Sequence, residues 1–237
     1  MGTKLNGSSI IRMIDFVKFD FGNSSDRLKT LLEKEFSEVG TYNRHFDVEE
    51  GDVVVDIGAS VGIFTYAALA KKPKHCYVVE PNRDQFNAIK RNLEGAPVSF
   101  IRAAITDAKQ LTVKWDNEES SPITLSFKEY LEIQYLTKID FLKIDCEGGE
   151  YDIFTLDNLP FLLTVPKIVC EFHLRKGQKN NALFRDFRDR ILPNFPKWHV
   201  NAVNGVDIRW DLKNEHFLDF YKEVAFTFDN RMDEQAL

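Results

Sequence analysis

The sequence predicts an α/β fold in which the strands of a mostly parallel sheet alternate with helices. Short apolar runs rich in Val and Ile recur along the chain, and amphipathic stretches separate them. Near-continuous apolar strands are typical of parallel sheets, because helices cover both faces of such a sheet. Strands that alternate with helices form right-handed βαβ units. We therefore expect a doubly wound sheet with helices on both faces.

The individual elements follow from these apolar runs and from the residues that interrupt them. Pro81 ends the second core strand and Pro193 ends a late helix, since proline continues neither element. Residues 222–230 alternate apolar and polar side chains, which is typical of a final antiparallel strand. The other strands are predicted at 52–57, 76–79, 98–101, 111–115, 139–146 and 167–172, and the helices at 63–71, 84–93, 126–133 and 183–192.

The strand–helix alternation begins only after residue 45, so two parts are predicted. Residues 1–45 include a helix-like stretch at 25–36 and are interpreted as a cap or substrate-facing extension. Residues 46–237 form the α/β domain, and their length suits one ordinary hydrophobic core.

Composition restricts the class of protein. The 237 residues include 31 Lys and Arg against 37 Asp and Glu, which gives a net charge of −6, and 43% are hydrophobic. These values are typical of a folded globular protein, and the acidic balance disfavours nucleic acid as the main partner, since nucleic-acid binding uses a basic face. No apolar run approaches the roughly 20 residues of a membrane helix. The first residues also lack the apolar stretch of a signal peptide.

The three cysteines, Cys76, Cys146 and Cys170, fit neither a zinc site nor a disulfide framework, because they are widely spaced and odd in number. All three fall in apolar, strand-like runs. Buried, reduced thiols in a cytoplasmic protein are therefore expected.

The segment 53–65, VVVDIGASVGIFT, predicts a ligand-binding turn between a strand and a helix. Glycines let backbone approach a ligand closely, and the start of a helix offers N–H groups to it. A dinucleotide-binding turn requires G-x-G-x-x-G, and Ser60 and Ile63 break that pattern when it is counted from Gly58. Asp-x-Gly-x-x-x-Gly, starting at Asp56, is instead the turn of S-adenosylmethionine (SAM)-dependent methyltransferases. A turn that binds nothing is the remaining alternative.

The second strand is followed directly by Glu80, roughly 20 residues after Gly58. An acidic residue at this place accepts hydrogen bonds from both ribose hydroxyls of an adenosine ligand. Pro81 closes the strand and would flank the adenine.

Charged residues also end the fourth and fifth strands. Asp145, Glu147 and Glu150 follow the fourth strand, and His173 ends the fifth. Ligands of open α/β sheets bind at the carboxyl ends of strands, so Asp145, Glu147 and His173 are candidate catalytic groups. Glu150 is expected in the first turn of a helix, where its charge suits the helix dipole. Lys143 lies within the apolar strand and is expected to pair with Asp145 or Glu150, because an unpaired buried ammonium is unfavourable. A purely structural ion pair, and a structural histidine, are the alternatives.

These segments together resemble the FkbM family of SAM-dependent methyltransferases. The resemblance covers about residues 45–175 and is carried by 53–65, 78–82, 139–154 and 168–173. It implies a Rossmann-like class I methyltransferase sheet of about seven strands with an antiparallel last hairpin. It also implies SAM-dependent O-methylation of a hydroxyl on a sugar, glycan or natural product. Related domains are fused to glycosyltransferases, so such a module is one candidate partner.

The resemblance also implies the cofactor site by position. Ser60 stands where the family usually has Asn, and Gly149 stands where it tends to have Ala, so the detailed cofactor geometry is expected to differ. The residues expected to hold SAM are Asp56, Gly58, Ala59, Ser60, Gly62, Glu80, Pro81, Asn82 and Ala104.

Methylation of a hydroxyl requires a group that accepts its proton. His173 is predicted to be that base, with Asp145 or Glu147 orienting it or the acceptor. In the alternative, Asp145, Glu147 and Glu171 hold Mg²⁺, which chelates sugar hydroxyls. A SAM-binding module without activity is a further alternative. A nucleic-acid methyltransferase is disfavoured, since residues 145–148 replace the Pro-Pro-aromatic run of amino-methylating enzymes.

Overall fold

The computed structural model describes residues 19–22, 26, 29–30, 41–115, 118–174, 178–214 and 216–231. Most of the predicted 1–45 extension, including most of its helix at 25–36, lies outside the described residues. The division into an extension and a methyltransferase domain at residue 45 therefore stays a prediction.

The described elements alternate as the sequence predicts. A π-helical turn, Phe187–Ile191, and a 3₁₀ turn, Leu192–Asn194, follow the helix Gln178–Asp186, and a second 3₁₀ turn is Arg209–Asp211. In chain order the strands and α-helices are β1 (Val53–Ile57), α1 (Ile63–Leu69), β2 (His75–Val79), α2 (Arg83–Asn92), β3 (Val98–Ile101), β4 (Ala103–Ile105), β5 (Val113–Trp115), β6 (Glu118–Ser120), β7 (Ile123–Leu125), α3 (Phe127–Ile133), β8 (Phe141–Ile144), α4 (Glu150–Ile153), α5 (Leu159–Leu162), β9 (Lys167–His173), α6 (Gln178–Asp186), β10 (Trp198–Ala202), α7 (Phe217–Phe220) and β11 (Glu223–Asp229).

Seven strands form one sheet in the order β10-β11-β9-β8-β1-β2-β3. Strand β2 is parallel to β1 and to β3, and β8 is parallel to β9. Strand β11 is antiparallel to both β9 and β10. This confirms the predicted Rossmann-like sheet of about seven strands with its antiparallel last hairpin. Strands β4 and β7, and strands β5 and β6, form two small additional sheets.

The described residues fall into two compact units, and the first lies within residues 1–104 and 108–124. It contains β1–β3 with α1 and α2. Apolar side chains of the turn after β1, of β2 and of α2 pack together in its core, with Ala59, Val78, Ile89 and Leu93 all buried. A Cβ on Gly62 would lie 3.4 Å from side-chain atoms of Ile89 and Leu93, so α2 packs closely on that turn.

The second unit lies within residues 105–107 and 125–237 and contains β8–β11. Its core is largely aromatic: the rings of Phe172 and Phe187 have centroids 4.2 Å apart, and Phe226 packs edge-on against both. The register places Glu223 opposite His173, and Val224 opposite Ala202. The carboxyl ends of β8, β9 and β10 and the start of β11 therefore share one edge of this unit.

Two local expectations differ from the structure, and one strand of the main sheet was not predicted. The strand predicted at 139–146 is only Phe141–Ile144, because the chain turns away after it, with Glu147 and Gly148 at φ values of 56° and 113°. The helix predicted at 183–192 starts earlier and becomes π-helical from residue 187. Strand β10 had no individual prediction, since Trp198–Ala202 mixes polar and apolar residues.

The three cysteines are free thiols. Cys76 and Cys170 are buried within strands, and burial together with the nearby Asp56 carboxylate raises the pKa of Cys76 to about 12. Cys146 lies after β8 rather than within it, so the expectation of a strand residue is wrong there. The residue is half-buried, and burial raises the pKa of its thiol well above the usual value. Within the described part of the chain, the helices are too short or too polar for any of them to cross a membrane.

Candidate active site

The turn after β1 is a compact loop with three residues at positive φ. Gly58, Ser60 and Gly62 have φ values of 76°, 52° and 88°. The N–H groups of Gly58 and Ala59 both donate to the carbonyl oxygen of Val79, at 2.9 and 3.1 Å. The turn is thereby tied to the end of β2, and these N–H groups are used within the chain.

Glu80 directly follows β2 and is only 5% exposed. One of its carboxylate oxygens accepts from the N–H of Ser60 at 2.9 Å, and the other accepts from the N–H of Asn82 at 2.8 Å. A carboxylate oxygen accepts more than one hydrogen bond, so these backbone donors orient Glu80 without excluding hydroxyl donors.

Ser60 has a buried hydroxyl oxygen with no hydrogen-bond partner among the described residues. A buried polar atom without a partner is unfavourable and usually indicates a water or a ligand. Ser60 also lies at φ 52°, a left-handed conformation that Asn adopts more readily than Ser. The departure from the family's usual Asn is thus a source of local strain.

The other residues predicted to hold a cofactor have local partners. Asp56 is fully buried and accepts a hydrogen bond from the Thr65 hydroxyl at 2.6 Å. The side-chain oxygen of Asn82 caps α2 by accepting from the N–H of Gln85 at 2.9 Å. Pro81 is half-buried, and Ala104 is buried in β4. Direct contact of these residues with a cofactor stays a prediction.

Asn92, at the end of α2, is a positioning residue that the sequence analysis missed. Its side-chain N–H₂ donates to the carbonyl oxygens of Val61, at 2.9 Å, and of Asp20, at 2.8 Å. The backbone N–H of Asp20 donates in return to the Asn92 side-chain oxygen at 2.8 Å. Asn92 thus links the glycine turn to residues 19–22. Nothing in the sequence distinguishes it from an ordinary polar residue near a helix end.

In the second unit, His173 and Glu150 form a buried pair. The distance from Nδ1 of His173 to Oε1 of Glu150 is 2.7 Å, and Glu150 is completely buried. The same Glu150 oxygen accepts from the N–H of Cys146 at 3.2 Å. The hydroxyl of Tyr151 donates to the carbonyl oxygen of His173 at 3.3 Å. The imidazole ring is therefore held from its Nδ1 side.

The other ring nitrogen, Nε2 of His173, faces two predicted site residues. It lies 3.6 Å from Oε1 of Glu147 and 3.9 Å from Oδ1 of Asp145. The structure thus brings together all three residues that were predicted to be catalytic. Nζ of the buried Lys143 lies 3.8 Å from the other Asp145 oxygen, which confirms the expected pairing.

These carboxylates change the protonation of His173. Burial alone would lower its pKa from 6.5, but the hydrogen bond and charge of Glu150, together with the charges of Asp145 and Glu147, raise the pKa to about 10. At neutral pH His173 is therefore an imidazolium, and its Nδ1–H donates to Glu150.

Asp145, Glu171 and His173 also form a group that could hold a cation. Each offers one ligand atom, and these atoms lie within 4.8 Å of one another. The set differs from the metal alternative predicted from sequence, in which Glu147 took the place of His173.

Comparison with known proteins identifies the family. The profile of the Methyltransferase FkbM domain matches residues 56–197. The chain belongs to the FkbM methyltransferase family. It is 29% identical over 145 residues to the hexuronic acid methyltransferase AglP of Haloferax volcanii, a match that covers 54% of this chain and 58% of AglP. The chain thus matches less than two thirds of that relative's length.

The fold also resembles solved structures at low sequence identity. A precorrin-6y C5,15-methyltransferase from Geobacter metallireducens is 13% identical, with a TM-score of 0.46 over 88% of this chain and 94% of that one. An rRNA methylase from Streptococcus thermophilus is 11% identical, with a TM-score of 0.44 over 77% and 87%.

Glu150 is a residue of the candidate site that the sequence analysis described but did not place there. It was interpreted only as a helix-start carboxylate or as a partner of Lys143. The neighbouring sequence could have indicated that Glu150 is buried. The residues that follow it, Tyr151, Ile153 and Phe154, are apolar and buried, so the start of this helix packs into the core. A buried carboxylate needs a partner, and His173 ends the adjacent strand.

The departure of this FkbM protein at Gly149 has a steric reason. A Cβ on Gly149 would lie 2.7 Å from the carbonyl oxygen of Ile105 and 3.1 Å from Sγ of Cys146. The turn that delivers Glu150 to His173 therefore packs against backbone that leaves no space for a methyl group.

Glu150→Gln is expected to lower the pKa of His173 clearly below about 10, because it removes the charge that receives the Nδ1 proton. The measurement is an NMR titration of the histidine ring protons, with His173→Gln to assign the resonance. Glu147→Gln is the control: Glu147 is 43% exposed and 3.6 Å away, so the shift should be smaller. Equal shifts in the two variants would contradict the dominant role of Glu150.

The raised pKa also predicts how stability depends on pH. The folded chain holds the His173 proton more tightly than the unfolded chain, whose histidine has a pKa near 6.5. The contribution to the free energy of unfolding is therefore complete below pH 6.5 and is lost as the pH rises through about 10. Urea unfolding between pH 6.5 and about 10 should show a smaller loss of unfolding free energy in Glu150→Gln than in the wild type.

Gly149→Ala is expected to destabilise the fold by about 1–3 kcal/mol, because the added methyl group would clash with the Ile105 carbonyl and force backbone to move. Urea unfolding measures the effect. The double variant Gly149→Ala/Cys146→Ala separates the two close contacts of the added methyl group. The Ile105 carbonyl belongs to the backbone and cannot rotate away from the added methyl group. The loss of unfolding free energy in the double variant should therefore equal the sum of the losses in the two single variants. Full rescue by removal of the Cys146 thiol would refute this explanation.

Proposed function

We propose that the chain is a SAM-dependent O-methyltransferase that acts on a hydroxyl of a sugar, glycan or related small molecule. The observation that carries the cofactor assignment is the buried Glu80 carboxylate, held at the end of β2 by the N–H groups of Ser60 and Asn82. Membership of the FkbM family supports this assignment.

The residues of the first unit fit an adenosine ligand. SAM, when bound, supplies a methyl group on a positively charged sulfur that is already activated for displacement. Glu80 would accept the ribose hydroxyls, and the unsatisfied Ser60 hydroxyl would bind a polar group of the same ligand. Asp56 would act indirectly, by fixing the start of α1 through Thr65.

The residues of the second unit fit the handling of a hydroxyl proton. Glu150 fixes the Nδ1–H tautomer of His173, so the lone pair of neutral His173 lies on Nε2 and can accept a proton. Asp145 and Glu147 lie beside Nε2 and would orient either the ring or the acceptor. Because His173 is protonated at neutral pH, base catalysis should strengthen as the pH rises toward 10.

The sugar class of the acceptor is supported by the similarity to AglP, which is described as a hexuronic acid methyltransferase. The net charge of −6 disfavours nucleic acid as the acceptor. We also propose the cytoplasm as the compartment, in keeping with three free thiols. A glycosyltransferase module is the proposed partner for a glycan-directed enzyme.

A divalent cation bound by Asp145, Glu171 and His173 is the second candidate for activation of the acceptor. The close approach of their ligand atoms favours it, and the carboxylate oxygens suit Mg²⁺. Such an ion would bind sugar hydroxyls directly and lower their pKa. The alternative that is not an enzyme is a protein that binds SAM without catalysing methyl transfer.

The cofactor assignment is tested by a thermodynamic cycle of binding free energies. Its two changes are Glu80→Gln in the protein and removal of a ribose hydroxyl from the ligand. Isothermal titration measures the affinity for S-adenosylhomocysteine and for its 2′- and 3′-deoxy analogues. Wild type should lose about 1.5–3 kcal/mol when a hydroxyl bonded to Glu80 is absent, as for hydrogen bonds to charged groups. Glu80→Gln should bind the parent ligand more weakly and lose much less with the analogues.

Two controls make this test specific. Glu94→Gln changes an exposed acid in the same unit and should bind like wild type. Thermal unfolding without ligand reports damage to the turn, since Glu80 also accepts backbone hydrogen bonds. If the losses of binding free energy from Glu80→Gln and from removal of a hydroxyl are additive, Glu80 does not bind the ribose. If neither SAM nor S-adenosylhomocysteine binds, the cofactor assignment is wrong.

Base catalysis and cation catalysis predict different pH profiles and different responses to chelators. If His173 is the base, kcat/KM with a sugar acceptor rises with pH up to about 10, and EDTA has no effect. His173→Gln should then lower kcat roughly 10²- to 10⁴-fold while SAM affinity is retained. If a cation is required, EDTA abolishes turnover and Mg²⁺ or Mn²⁺ restores it. An active His173→Gln enzyme with an unchanged profile would exclude the base.

A further inference from the structure

Residues 19–22, called the bridging segment below, contact both α1 and α2. The ring of Phe19 packs edge-on against the ring of Tyr66 in α1, with centroids 5.5 Å apart. At the other end of the segment, a Cβ on Gly22 would lie 3.3 Å from the carbonyl oxygen of Asp84 in α2. All of these residues belong to the first unit, which also contains the residues proposed to bind SAM.

The side-chain amide of Asn92 joins the bridging segment to the glycine turn, residues 58–62. Its Nδ2 donates to the carbonyl oxygen of Asp20 at 2.8 Å and to the carbonyl oxygen of Val61 at 2.9 Å. Its Oδ1 accepts from the backbone N–H of Asp20 at 2.8 Å. An asparagine amide has two donor hydrogens, and here one is used on each side. The same planar group therefore contacts the segment and the turn at once.

The glycine turn has a strained backbone that its surroundings must hold. Ser60 lies at φ 52°, and a residue with a side chain keeps such a conformation only where neighbouring contacts fix it. The N–H of Ser60 donates to the Glu80 carboxylate, and the carbonyl oxygen of the next residue, Val61, accepts from Asn92. Glu80 and Asn92 thus hold two consecutive residues of the turn, and loss of either contact would let the turn relax.

The path from the bridging segment to the groups proposed to bind SAM is short. It runs from the backbone of Asp20 through Asn92 to Val61, and Ser60 is the adjacent residue. The Ser60 hydroxyl is buried and has no hydrogen-bond partner among the described residues. A ligand that binds Ser60 and Glu80 would stabilise this conformation of the turn, and with it the position of the carbonyl group that Asn92 contacts.

We propose that docking of the bridging segment is coupled, through Asn92, to binding of SAM at the glycine turn. The inference rests on the proposed function and deepens it, because it adds Asp20 and Asn92 as positioning residues of the cofactor site. The docked segment raises the affinity for the ligand, and the ligand favours the docked segment by the same factor. Four residues of the predicted 1–45 extension thereby have a role in cofactor binding.

The test measures the affinity for S-adenosylhomocysteine by isothermal titration in three variants of the full chain. Gly22→Val disturbs the segment alone, because Gly22 lies at φ 58° and its added side chain would approach the Asp84 carbonyl. Asn92→Asp keeps the shape and the acceptor oxygen of the side chain but removes both N–H donors. Gly51→Val is the matched control: Gly51 lies at φ 88° just before β1, at the end of that strand opposite the glycine turn, and a Cβ there has no described atom within 4 Å.

Gly22→Val and Asn92→Asp should each weaken the affinity for S-adenosylhomocysteine by at least roughly fivefold, the lower end of the usual coupling between two sites. Gly51→Val should bind like wild type, although its melting temperature falls as well. Arg91→Gln removes the exposed ion pair between Arg91 and the Asp20 carboxylate and should weaken the affinity in the same direction but less. This milder variant replaces Gly22→Val if the valine prevents folding.

Hydrogen exchange of the Asp20 amide measures the coupling from the other side, since this N–H donates to Asn92. In the wild type, saturating S-adenosylhomocysteine should slow this exchange by a factor similar to the loss of affinity in Gly22→Val. In Asn92→Asp the ligand should leave the exchange unchanged. The amide of Gly51, which donates to the carbonyl oxygen of Lys72, is the control and should not respond to the ligand.

The outcomes separate this inference from the proposed function. Equal affinity in wild type and a folded Gly22→Val protein overturns the coupling and leaves the methyltransferase proposal intact. A similar loss of affinity in Gly51→Val also overturns the coupling, because general loss of stability then explains the effect. Slower exchange of the Asp20 amide that persists in Asn92→Asp overturns the role of Asn92. If the wild type binds neither SAM nor S-adenosylhomocysteine, the coupling and the proposed cofactor are both wrong.

Discussion

The buried contact between Glu150 and His173 is the interaction on which the rest of the second unit depends. A carboxylate removed completely from water is strongly unfavourable unless it is paired, and His173 pairs it by retaining a proton at neutral pH. This pairing fixes the end of β9, the start of α4 and the turn between β8 and α4. Glu147 and Gly148 adopt positive φ values in that turn, and Gly149 has no space for a side chain.

Glu80 in the first unit is buried to a similar degree, but it is satisfied differently. Its donors are the backbone N–H groups of Ser60 and Asn82, which carry no formal charge. Neutral donors orient the Glu80 carboxylate and leave its negative charge uncompensated. The positive charge of the His173 imidazolium, in contrast, compensates the negative charge of Glu150. Glu80 therefore suits the recognition of hydroxyl donors, and Glu150 suits the positioning of another side chain.

The alternation of strands and helices could be predicted from the sequence because it depends on local apolar patterns, and β1, β2 and β9 lie close to their predicted places. Strand β10 could not, since Trp198–Ala202 depends on its pairing with β11 rather than on a pattern of its own. The meeting of Asp145, Glu147 and His173 followed from the rule that parallel strands end at one edge. The pairing of Glu150 and the role of Asn92 did not, because both depend on side-chain directions that strand order does not specify.

Nε2 of His173 also connects the two candidate ways of activating a hydroxyl. Among the described residues of this group are four carboxylates, of Asp145, Glu147, Glu150 and Glu171, and two cationic side chains, Lys143 and protonated His173. Excess negative charge stabilises a positive charge at Nε2, and either a proton or a metal ion supplies it. A bound cation would use the same lone pair as the proton and would release that proton. A proton and a cation would therefore exclude each other from Nε2. Asp145 is common to both cases, because it raises the pKa of His173 and also belongs to the group that could hold the metal.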